Sequence, residues 1–178
     1  IDANNTILDA LGITRTQEIP AVCIEEALQA AQKLCFPVVM KVVGPLHKSD
    51  VGGVVLNINS NELIRTHFNA MMEIPKAMGV IIQKQHSGLE LFIGVHYEKG
   101  FGHLLMMGLG GIFVEVLGDV KVCLCPCSKE EIIFRLKNLK GYPLLQGIRG
   151  MKGVDIDTFA EIIQKISQLI QIMPEIRE

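Results

Sequence analysis

The sequence predicts an α/β protein that divides into two α+β lobes. Apolar residues make up 49% of the 178 positions and aromatic residues only 5%, with no tryptophan, which is typical of a compact core of aliphatic side chains. Helical and strand periods alternate in the first half of the chain, a strand-rich stretch follows, and helices come last. No internal repeat interrupts this order. We therefore expect a first lobe at residues 1–82 and a second at 83–178.

The elements of the first lobe follow from local signals. A short helix at 5–11 is closed by Gly12, a residue suited to a helix C-cap. A stretch rich in Ala, Glu and Gln predicts a second helix at 24–34. Valine-rich runs predict two strands, apolar residues at helical spacing predict a third helix, and a further apolar run predicts a strand. In chain order these four elements are 37–43, 54–58, 60–72 and 79–85.

The second lobe is predicted to begin with strands and to end with helices. A strand at 89–97 precedes three short strands that "LGG" and "GD" join as hairpin turns. Ser128 and Glu131 form a capping box at the start of a helix, and 155–173 has the spacing of a long amphipathic helix. The three short strands are 103–108, 112–117 and 120–125.

Charge and cysteine content narrow the class of protein. Seventeen basic and nineteen acidic residues give a net charge of −2, so the chain has no basic stripe for nucleic acid. Its apolar runs are too short to span a bilayer, and the first residues lack the layout of a signal peptide. Five cysteines without framework spacing favour a reducing compartment. We expect a cytoplasmic protein that binds neither nucleic acid nor a membrane.

A polar loop with the sequence HKSDVGG separates the two valine-rich strands. It combines an imidazole with a cation, a hydroxyl, a carboxylate and two glycines, which can take positive φ and let the backbone approach a ligand closely. An ordinary polar turn is the alternative interpretation. The residues of this loop that we single out are His47, Lys48, Ser49, Asp50, Gly52 and Gly53.

Lys41 lies in the middle of the apolar strand before that loop and shares a face with Val39 and Val43. Burying its ammonium group is costly unless an anion answers it. A bound phosphate is the natural anion, and a lysine that protects an exposed sheet edge is the alternative.

A second group of candidates follows the strand 103–108. The segment GLGG contains Gly110 and Gly111 and can direct backbone N–H groups at an anion. Glu115 is predicted on the next strand, and a carboxylate beside a phosphate site is suited to Mg²⁺. Arg149, next to a glycine, is either a phosphate ligand or a surface arginine.

Three cysteines at alternate positions raise a separate hypothesis. Cys123, Cys125 and Cys127 would lie on one face of a strand, with neighbours about 6.8 Å apart. Zinc ligands must converge on a tetrahedron, which C-x-x-C spacing achieves more readily. Packed cysteines are therefore the preferred interpretation, and a metal-binding module is the alternative.

Several segments, taken in order from about residue 5 to the end, resemble one known family. They are FPVVMKVVGPLHKSDVGGVVLNI, GVIIQK, GLELFIGV, FGHLLMMGLGGIFVEVLGDV, KGYPLLQGIRG and ISQLIQIMPEI. They resemble the ATP-grasp domain of NDP-forming acyl-CoA synthetases, the ADP-forming acetyl-CoA synthetases related to succinyl-CoA synthetase. The resemblance implies the ATP-grasp fold, with two α+β lobes and a nucleotide cleft between them.

The resemblance also implies a reaction and its partners. The family converts acyl-CoA, phosphate and ADP reversibly to a free acid, CoA and ATP, and the phosphate travels on histidines. His47 matches a carrier histidine, which would accept the phosphoryl group from a CoA-binding, histidine-bearing alpha subunit or fused domain. Lys48 and Ser49 would hold its oxygens. The resemblance further implies an oligomer, and this chain alone should not complete the reaction.

Other residues take roles only through this resemblance. ATP or ADP would contact the nucleotide-binding positions, and Glu115 would bind Mg²⁺. Lys84 and Cys123 depart from the family, which commonly has an acidic and a basic residue there, and the family pattern continues past residue 178 into another metal ligand. The nucleotide-binding positions are Lys41, Gln83, Glu90, Gly110, Gly111 and Arg149.

A non-catalytic alternative remains open at this stage. ATP-grasp-like domains fused to protein acetyltransferases would bind a ligand or serve assembly without turnover. The state of His47 would distinguish the two hypotheses.

Overall fold

The computed structural model describes residues 3–45 and 52–178. Its contacts divide the chain into two compact units, Ile1–Ser87 and Gly88–Glu178. The division that we predicted from the sequence, after residue 82, falls inside a strand that the first unit contains whole, Gly79–Lys84. Each unit has one antiparallel sheet and its own hydrophobic core.

The first unit contains three helices and four strands among its described residues. Neighbouring strands in its sheet pair antiparallel in the order β1-β4-β2-β3. The elements are α1 (Ala3–Ala10), β1 (Glu18–Ala21), α2 (Ile24–Leu34), β2 (Val38–Val43), β3 (Val54–Ile58), α3 (Asn61–Met72) and β4 (Gly79–Lys84).

One face of the first sheet is covered by the helices α2 and α3. Val38, Met40 and Val42 point to one face and are fully buried in the core with residues of α2 and α3. The alanines of α2 let this helix lie close to the sheet, since they add little side-chain volume. Lys41 alternates with these residues and therefore points to the opposite face.

The second unit contains three strands and four helices. Its sheet is antiparallel in the order β5-β6-β7. The elements are β5 (Leu91–Glu98), β6 (Gly102–Leu109), α4 (Ile112–Leu117), β7 (Val120–Leu124), α5 (Lys129–Lys137), α6 (Tyr142–Gln146) and α7 (Ile156–Ile172).

The core of the second unit lies between its sheet and two long helices. Leu105 and Met107 of β6 are fully buried with Ile132 of α5 and Ile163 of α7. The Ser128 hydroxyl accepts a hydrogen bond from the Glu131 backbone N–H at 3.2 Å, as the sequence predicts for the start of α5. This packing holds β6 in place, the strand that ends at Leu109 directly before Gly110 and Gly111.

The structure corrects one strand of the sequence analysis. The segment 112–117, predicted as a strand with Glu115 between two hairpin turns, is the helix α4. The valine-rich composition favours a strand, but Gly111 at φ 56° starts the helix and Gly118, left-handed at φ 55°, ends it. The strands on either side, β6 and β7, pair with each other directly.

Two short elements and one strand end also differ from the prediction. The four-residue β1 and the five-residue α6 were not predicted, because both are too short to show a period. The strand β7 ends at Leu124, so Cys125 and Cys127 lie beyond it, and the three cysteines do not form the predicted row on one strand.

Candidate functional site

Lys41 occupies an interior position of the first sheet. Its strand, β2, pairs with β3 on one side and β4 on the other, and Lys41 stands opposite Val54 and Ile81. The alternative of a lysine guarding a sheet edge is therefore wrong. Lys41 is half-buried, and within residues 3–45 and 52–178 no carboxylate lies at salt-bridge distance from it. An interior ammonium group without an anion is the feature that predicts a phosphate ligand.

Gln83 lies on the same sheet face as Lys41. It stands opposite Val39 of β2 and Glu18 of β1, and residues opposite each other share a face. Gln83 is 8% exposed, and its side-chain amide donates a hydrogen bond to the Glu18 carboxylate. The structure thus brings Lys41 and Gln83 to one face of one sheet. The role of Gln83 toward adenine stays a prediction.

A polar cavity adjoins this face in the first unit. It measures about 570 Å³ and extends from Glu18 and Ile81 to Asp9 and Arg15. The Arg15 guanidinium donates to both carboxylate oxygens of Asp9, at 2.9 and 2.8 Å. The cavity lining therefore includes Glu18, the partner of Gln83, together with the polar groups of Asp9 and Arg15.

Lys84, a departure from the family pattern, has a structural partner. Its ammonium group donates to the backbone carbonyls of Cys35 at 2.6 Å and Phe36 at 3.2 Å, just after α2. A cation at the C-terminal end of a helix satisfies carbonyls that the helix leaves free. The lysine therefore fastens α2 to β4.

Only part of the predicted phosphate loop lies within the described residues. Gly52 takes a positive φ of 69°, as the sequence predicts, whereas Gly53 does not. The carbonyl of Gly53 accepts the backbone N–H of Val42 at 2.8 Å, which starts the β2–β3 pairing. His47, Lys48, Ser49 and Asp50 lie outside the described residues.

Three predicted nucleotide-binding residues share a cavity in the second unit. Glu90, Gly110 and Gly111 line a space of about 410 Å³ whose other walls are mainly apolar. They meet because Leu91 of β5 pairs with Leu109 of β6, which places the residue before β5 beside those after β6. The apolar part of the lining consists of Leu89, Phe113, Leu144 and Met151.

The two glycines of this cavity differ in what they can donate. The N–H of Gly110 donates to the carbonyl of Glu90 at 2.8 Å and is not free for a phosphate. The N–H of Gly111 has no acceptor in the described part of the chain. At φ 56° and ψ −142° the backbone of Gly111 has a conformation that favours glycine, and a Cβ there would meet the end of the flexible Glu90 side chain. Of the two glycines, only Gly111 has an N–H without an acceptor among the described residues, and its contact with a phosphate stays a prediction.

Glu115 and Arg149 are near this cavity in the chain, and the exposed Arg149 is not part of its lining. Glu115 is on α4, which starts directly after Gly111, and it does not alternate on a strand face with Phe113 and Leu117 as predicted. On a helix, residues two apart point in different directions. Arg149 is exposed in the turn after α6 and has a positive φ of 50°. Met151, two residues later, reaches the cavity.

Asp119 positions this region and was not singled out from the sequence. It is 6% exposed, and its two carboxylate oxygens accept the backbone N–H groups of Lys140 at 3.1 Å and Gly141 at 2.7 Å. Because Asp119 follows the C-cap of α4 directly, it ties the end of this helix to the loop before α6. In the sequence this aspartate was interpreted only as part of a "GD" hairpin turn, and nothing there indicated that its carboxylate is buried.

We expect Asp119→Ala to lower the free energy of unfolding by about 3 kcal/mol, since two backbone N–H groups lose their acceptor in a buried site. Chemical denaturation measures the change. Asp157→Asn is the control, because this carboxylate is 76% exposed in its pair with Lys129, and its loss should change stability by less than about 1 kcal/mol. Equal effects of the two substitutions would show that Asp119 does not anchor α4.

The described residues contain no group of three or more His, Cys, Asp or Glu side chains arranged to hold a metal ion. The zinc alternative built on Cys123, Cys125 and Cys127 has no such site to support it. Cys123 and Cys127 are instead buried at 3% and 7% exposure in the core of the second unit. Within the same residues, every helix is too short or too polar to cross a membrane.

Two antiparallel sheets with helices packed on one buried face are the α+β architecture found in ATP-grasp proteins. A model of the ATP-grasp domain matches residues 2–178, so the chain belongs to the ATP-grasp family. The resemblance that the sequence motifs carry is thereby confirmed, and so is the predicted fold.

Similar proteins include ADP-forming acetate–CoA ligases. The chain is 41% identical, over 94% of its length, to acetate–CoA ligase (ADP-forming) II of Archaeoglobus fulgidus and spans 25% of that protein. It is 40% identical, over 86% of its length, to the beta subunit of acetate–CoA ligase (ADP-forming) I of Pyrococcus furiosus and spans 71% of it. The chain thus covers about a quarter of the first relative and most of the second.

Solved structures of one acetyl-coenzyme A synthetase share the fold. The dinucleotide forming acetyl-coenzyme A synthetase 1 of Candidatus Korarchaeum cryptofilum, in complex with coenzyme A, Ca-AMPCP and HgCl+, is 36% identical with a TM-score of 0.86, over 98% of this chain and 80% of that one. Another structure of this synthetase holds coenzyme A and Mg-AMPPCP and has its phosphohistidine segment pointing towards the nucleotide binding site. It is 35% identical with a TM-score of 0.78, over 96% of this chain and 76% of that one.

Proposed function

We propose that this chain is the ATP-grasp part of an ADP-forming acyl-CoA ligase. In this role it binds ADP or ATP with Mg²⁺ and passes a phosphoryl group through His47 between the nucleotide and a CoA-binding part. The observation that carries the proposal is Lys41, a half-buried cation on an interior strand with no carboxylate partner in the described residues. An anionic ligand would offset the cost of holding this ammonium group away from water.

The residues present fit a magnesium-bound nucleotide. In the described part of the chain the N–H of Gly111 has no acceptor, and its positive φ favours glycine, which suits close contact with a phosphate oxygen. When bound, Mg²⁺ would neutralise phosphate charge, and Glu115 is the residue that we propose to hold it. The relative from Candidatus Korarchaeum cryptofilum was solved with Mg-AMPPCP, which supports the same nucleotide class for this chain.

Two kinds of residue would take part in the transfer: cations that bind the negatively charged phosphate oxygens, and His47, which carries the phosphoryl group. Lys41 and Arg149 would hold the phosphate oxygens as the transferring group moves, which is the main work of a protein in phosphoryl transfer. The imidazole of His47 would accept the phosphoryl group from ATP and release ADP. In the reverse direction it would return the phosphoryl group to ADP. Lys48 and Ser49 would donate hydrogen bonds to the carried group. The phosphohistidine segment of the synthetase from Candidatus Korarchaeum cryptofilum supports a carrier histidine in an enzyme of this kind.

The proposal requires a second part of the enzyme. One relative is named as a beta subunit, and this chain spans 25% of another, so the residues that bind CoA and the acyl group would lie in an alpha subunit or a fused domain. That part would carry its own phosphorylated histidine. The relatives are named for acetate, 4-hydroxybutyrate and the trans-feruloyl group, which supports a carboxylic acid as the substrate class.

A calorimetric titration of the full-length protein with ADP, with and without Mg²⁺, tests the proposal. We expect binding that Mg²⁺ strengthens. Glu115→Gln keeps the side-chain shape and removes the charge, so it should weaken binding about tenfold or more with Mg²⁺ and much less without it. Glu73→Gln at the C-cap of α3 is the matched control and should leave both affinities unchanged.

Three results would contradict this proposal in different ways. Equal losses with and without Mg²⁺ would make Glu115 structural and remove it from the metal site. Failure of the parent protein to bind ADP or ATP at millimolar concentration would contradict the nucleotide-binding function as a whole. Nucleotide binding without any phosphoryl transfer would instead favour the non-catalytic, regulatory domain.

A further inference from the structure

One edge of the second sheet has no neighbouring strand. Among the described residues, β7 is the last strand in the order β5-β6-β7 and pairs only with β6. An edge strand presents unpaired backbone N–H and C=O groups, and proteins usually protect such edges with charges, prolines or covering elements. Pro126 follows β7, but the strand itself carries two exposed apolar side chains, Val122 at 41% and Leu124 at 50% exposure. This edge is therefore a candidate interaction surface.

The pairing of β7 with β6 shows which of its backbone groups point outward. The N–H of Cys125, directly after β7, donates to the carbonyl of His103 on β6 at 2.9 Å. In an antiparallel pair, residues that bond to the neighbouring strand alternate with residues whose backbone groups face away from it. Cys123 therefore also bonds to β6, whereas Val122 and Leu124 direct their N–H and C=O groups to the open edge. No partner for these outward groups is found in the described part of the chain.

A second copy of the chain fits this edge because the outward residues lie symmetrically about Cys123. When two copies of β7 meet antiparallel at a two-fold axis through Cys123, Val122 of each copy stands opposite Leu124 of the other. Each such pair exchanges two backbone hydrogen bonds, so the two pairs satisfy all the outward groups. The axis is perpendicular to the sheet, so the exposed apolar side chains of both copies meet on one face. The α5 helices, which pack in the core with Cys123, lie on the other face.

The charges beside the edge are also complementary to a second copy. A groove of about 380 Å³ has Val122 and Leu124 in its lining, together with Glu131 and Arg135 of α5. The Arg135 guanidinium donates to Glu131 at 3.1 Å through a terminal nitrogen, while its Nε is buried and has no acceptor among the described residues. A groove that holds one acid and one base can meet its own two-fold copy with opposite charges opposed. A carboxylate of the second copy would give the buried Nε the acceptor that it lacks.

We propose that the open edge of β7 is a homodimer interface, where two copies of the chain join their second sheets into one continuous antiparallel sheet. An extended segment of another protein could bond to the same backbone groups. The symmetric spacing about Cys123 and the acid–base pair in the groove favour a second copy, because an isologous contact requires a surface that is complementary to itself. The proposal does not depend on nucleotide binding, since none of the residues that we place on the nucleotide lies on β7 or α5.

Amide hydrogen exchange of the full-length protein at single-residue resolution, combined with sedimentation of the same samples, tests the proposal. We expect the N–H groups of Val122 and Leu124 to exchange at least about tenfold more slowly in the dimer than in the monomer, because only the dimer gives them acceptors. The N–H groups of Cys123 and Cys125 are the internal control, since they bond to β6 in both states. Dilution should release the protection of the first two groups together with the dimer.

A charge placed on the edge should prevent the pairing. Leu124→Lys should weaken dimerisation at least about tenfold and remove the protection of the Val122 N–H, because an edge lysine opposes strand pairing. Phe101→Lys is the matched control: this side chain is 72% exposed in the turn between β5 and β6, outside β7, and its replacement should change neither readout.

Four results would overturn the proposal. The first is a parent protein that stays monomeric with unprotected Val122 and Leu124. The second is protection of both groups in a monomer, which would show that another part of the full-length protein covers the edge. Protection that appears only when a CoA-binding part is added would assign the edge to that partner. A dimer that Leu124→Lys leaves intact would place the interface elsewhere. The exchange readout of the parent protein does not depend on whether either variant folds.

Discussion

Replacing His47 with alanine is expected to abolish phosphoryl exchange between the nucleotide and the CoA-binding part while leaving ADP binding within about twofold. The imidazole is proposed to form the covalent bond to phosphorus, and removing a nucleophile costs roughly a thousandfold or more in rate. The substitution removes no group that we place on the adenine or the metal. Transfer of labelled phosphate from ATP in the reassembled enzyme measures the loss. The parent chain should also show an acid-labile, base-stable phosphohistidine that the variant lacks.

His67→Ala is the matched control for this experiment. His67 lies on α3, which packs on the sheet face opposite to Lys41, so its loss should leave the exchange rate unchanged. The partner's own phosphorylation from acyl phosphate should survive in both variants because it occurs upstream. Exchange at the parental rate in His47→Ala would mean that the HKSDVGG loop is an ordinary turn and that the carrier histidine lies elsewhere.

Elements with a clear period and a cap were predictable from the sequence. The bounds of α2 agree with the prediction because Ala, Glu and Gln fill one helix between two non-helical neighbours. The starts of α3 and α5 agree because Ser60 and Ser128 accept hydrogen bonds from backbone N–H groups three residues later. In these segments local propensity and tertiary packing favour the same structure.

The helix α4 was not predictable in the same way because local propensity and tertiary structure disagree there. The run IFVEVL has β-branched residues at strand-like spacing. The glycines at both ends allow positive φ, and the buried carboxylate of Asp119 holds the chain after the helix. A six-residue helix gains little from its own hydrogen bonds. Its tertiary contacts decide the outcome, and these are not visible in one sequence.

For the candidate site, the sequence predicted which residues take part but not how they are arranged in space. The sequence analysis named Glu90, Gly110 and Gly111 by residue type, order and resemblance, but it did not place them in one cavity. That placement depends on the register of β5 and β6, which joins residues twenty apart in the chain. The sequence also could not show that the Gly110 N–H donates to Glu90, whereas the Gly111 N–H has no acceptor among residues 3–45 and 52–178. Strand register settles this because it decides which carbonyl faces which donor.

Lys41→Met is expected to remove most of the stabilisation that Mg-ADP gives to the protein, without destabilising the ligand-free form. Methionine keeps the length of the side chain, and in the absence of ligand the variant loses an ammonium group that has no carboxylate partner in the described residues. Replacing such a half-buried charge by an apolar group is neutral or stabilising. The variant should therefore be at least as stable as the parent without ligand, yet gain less stability when Mg-ADP is added. A general loss of folding cannot produce this combination.

The size of this effect follows from mass action. A ligand present at a hundredfold excess over its Kd stabilises the folded state by about 2.7 kcal/mol, and a hundredfold rise in Kd reduces this to about 0.4 kcal/mol. Thermal denaturation with and without Mg-ADP measures both quantities for the parent and the variant. Lys33→Met, an exposed lysine in the last turn of α2, is the control and should keep the full ligand-induced shift. If Lys41→Met also keeps it, the ammonium group does not contact the phosphates, and the anion that explains an interior lysine in β2 must be found elsewhere in the protein.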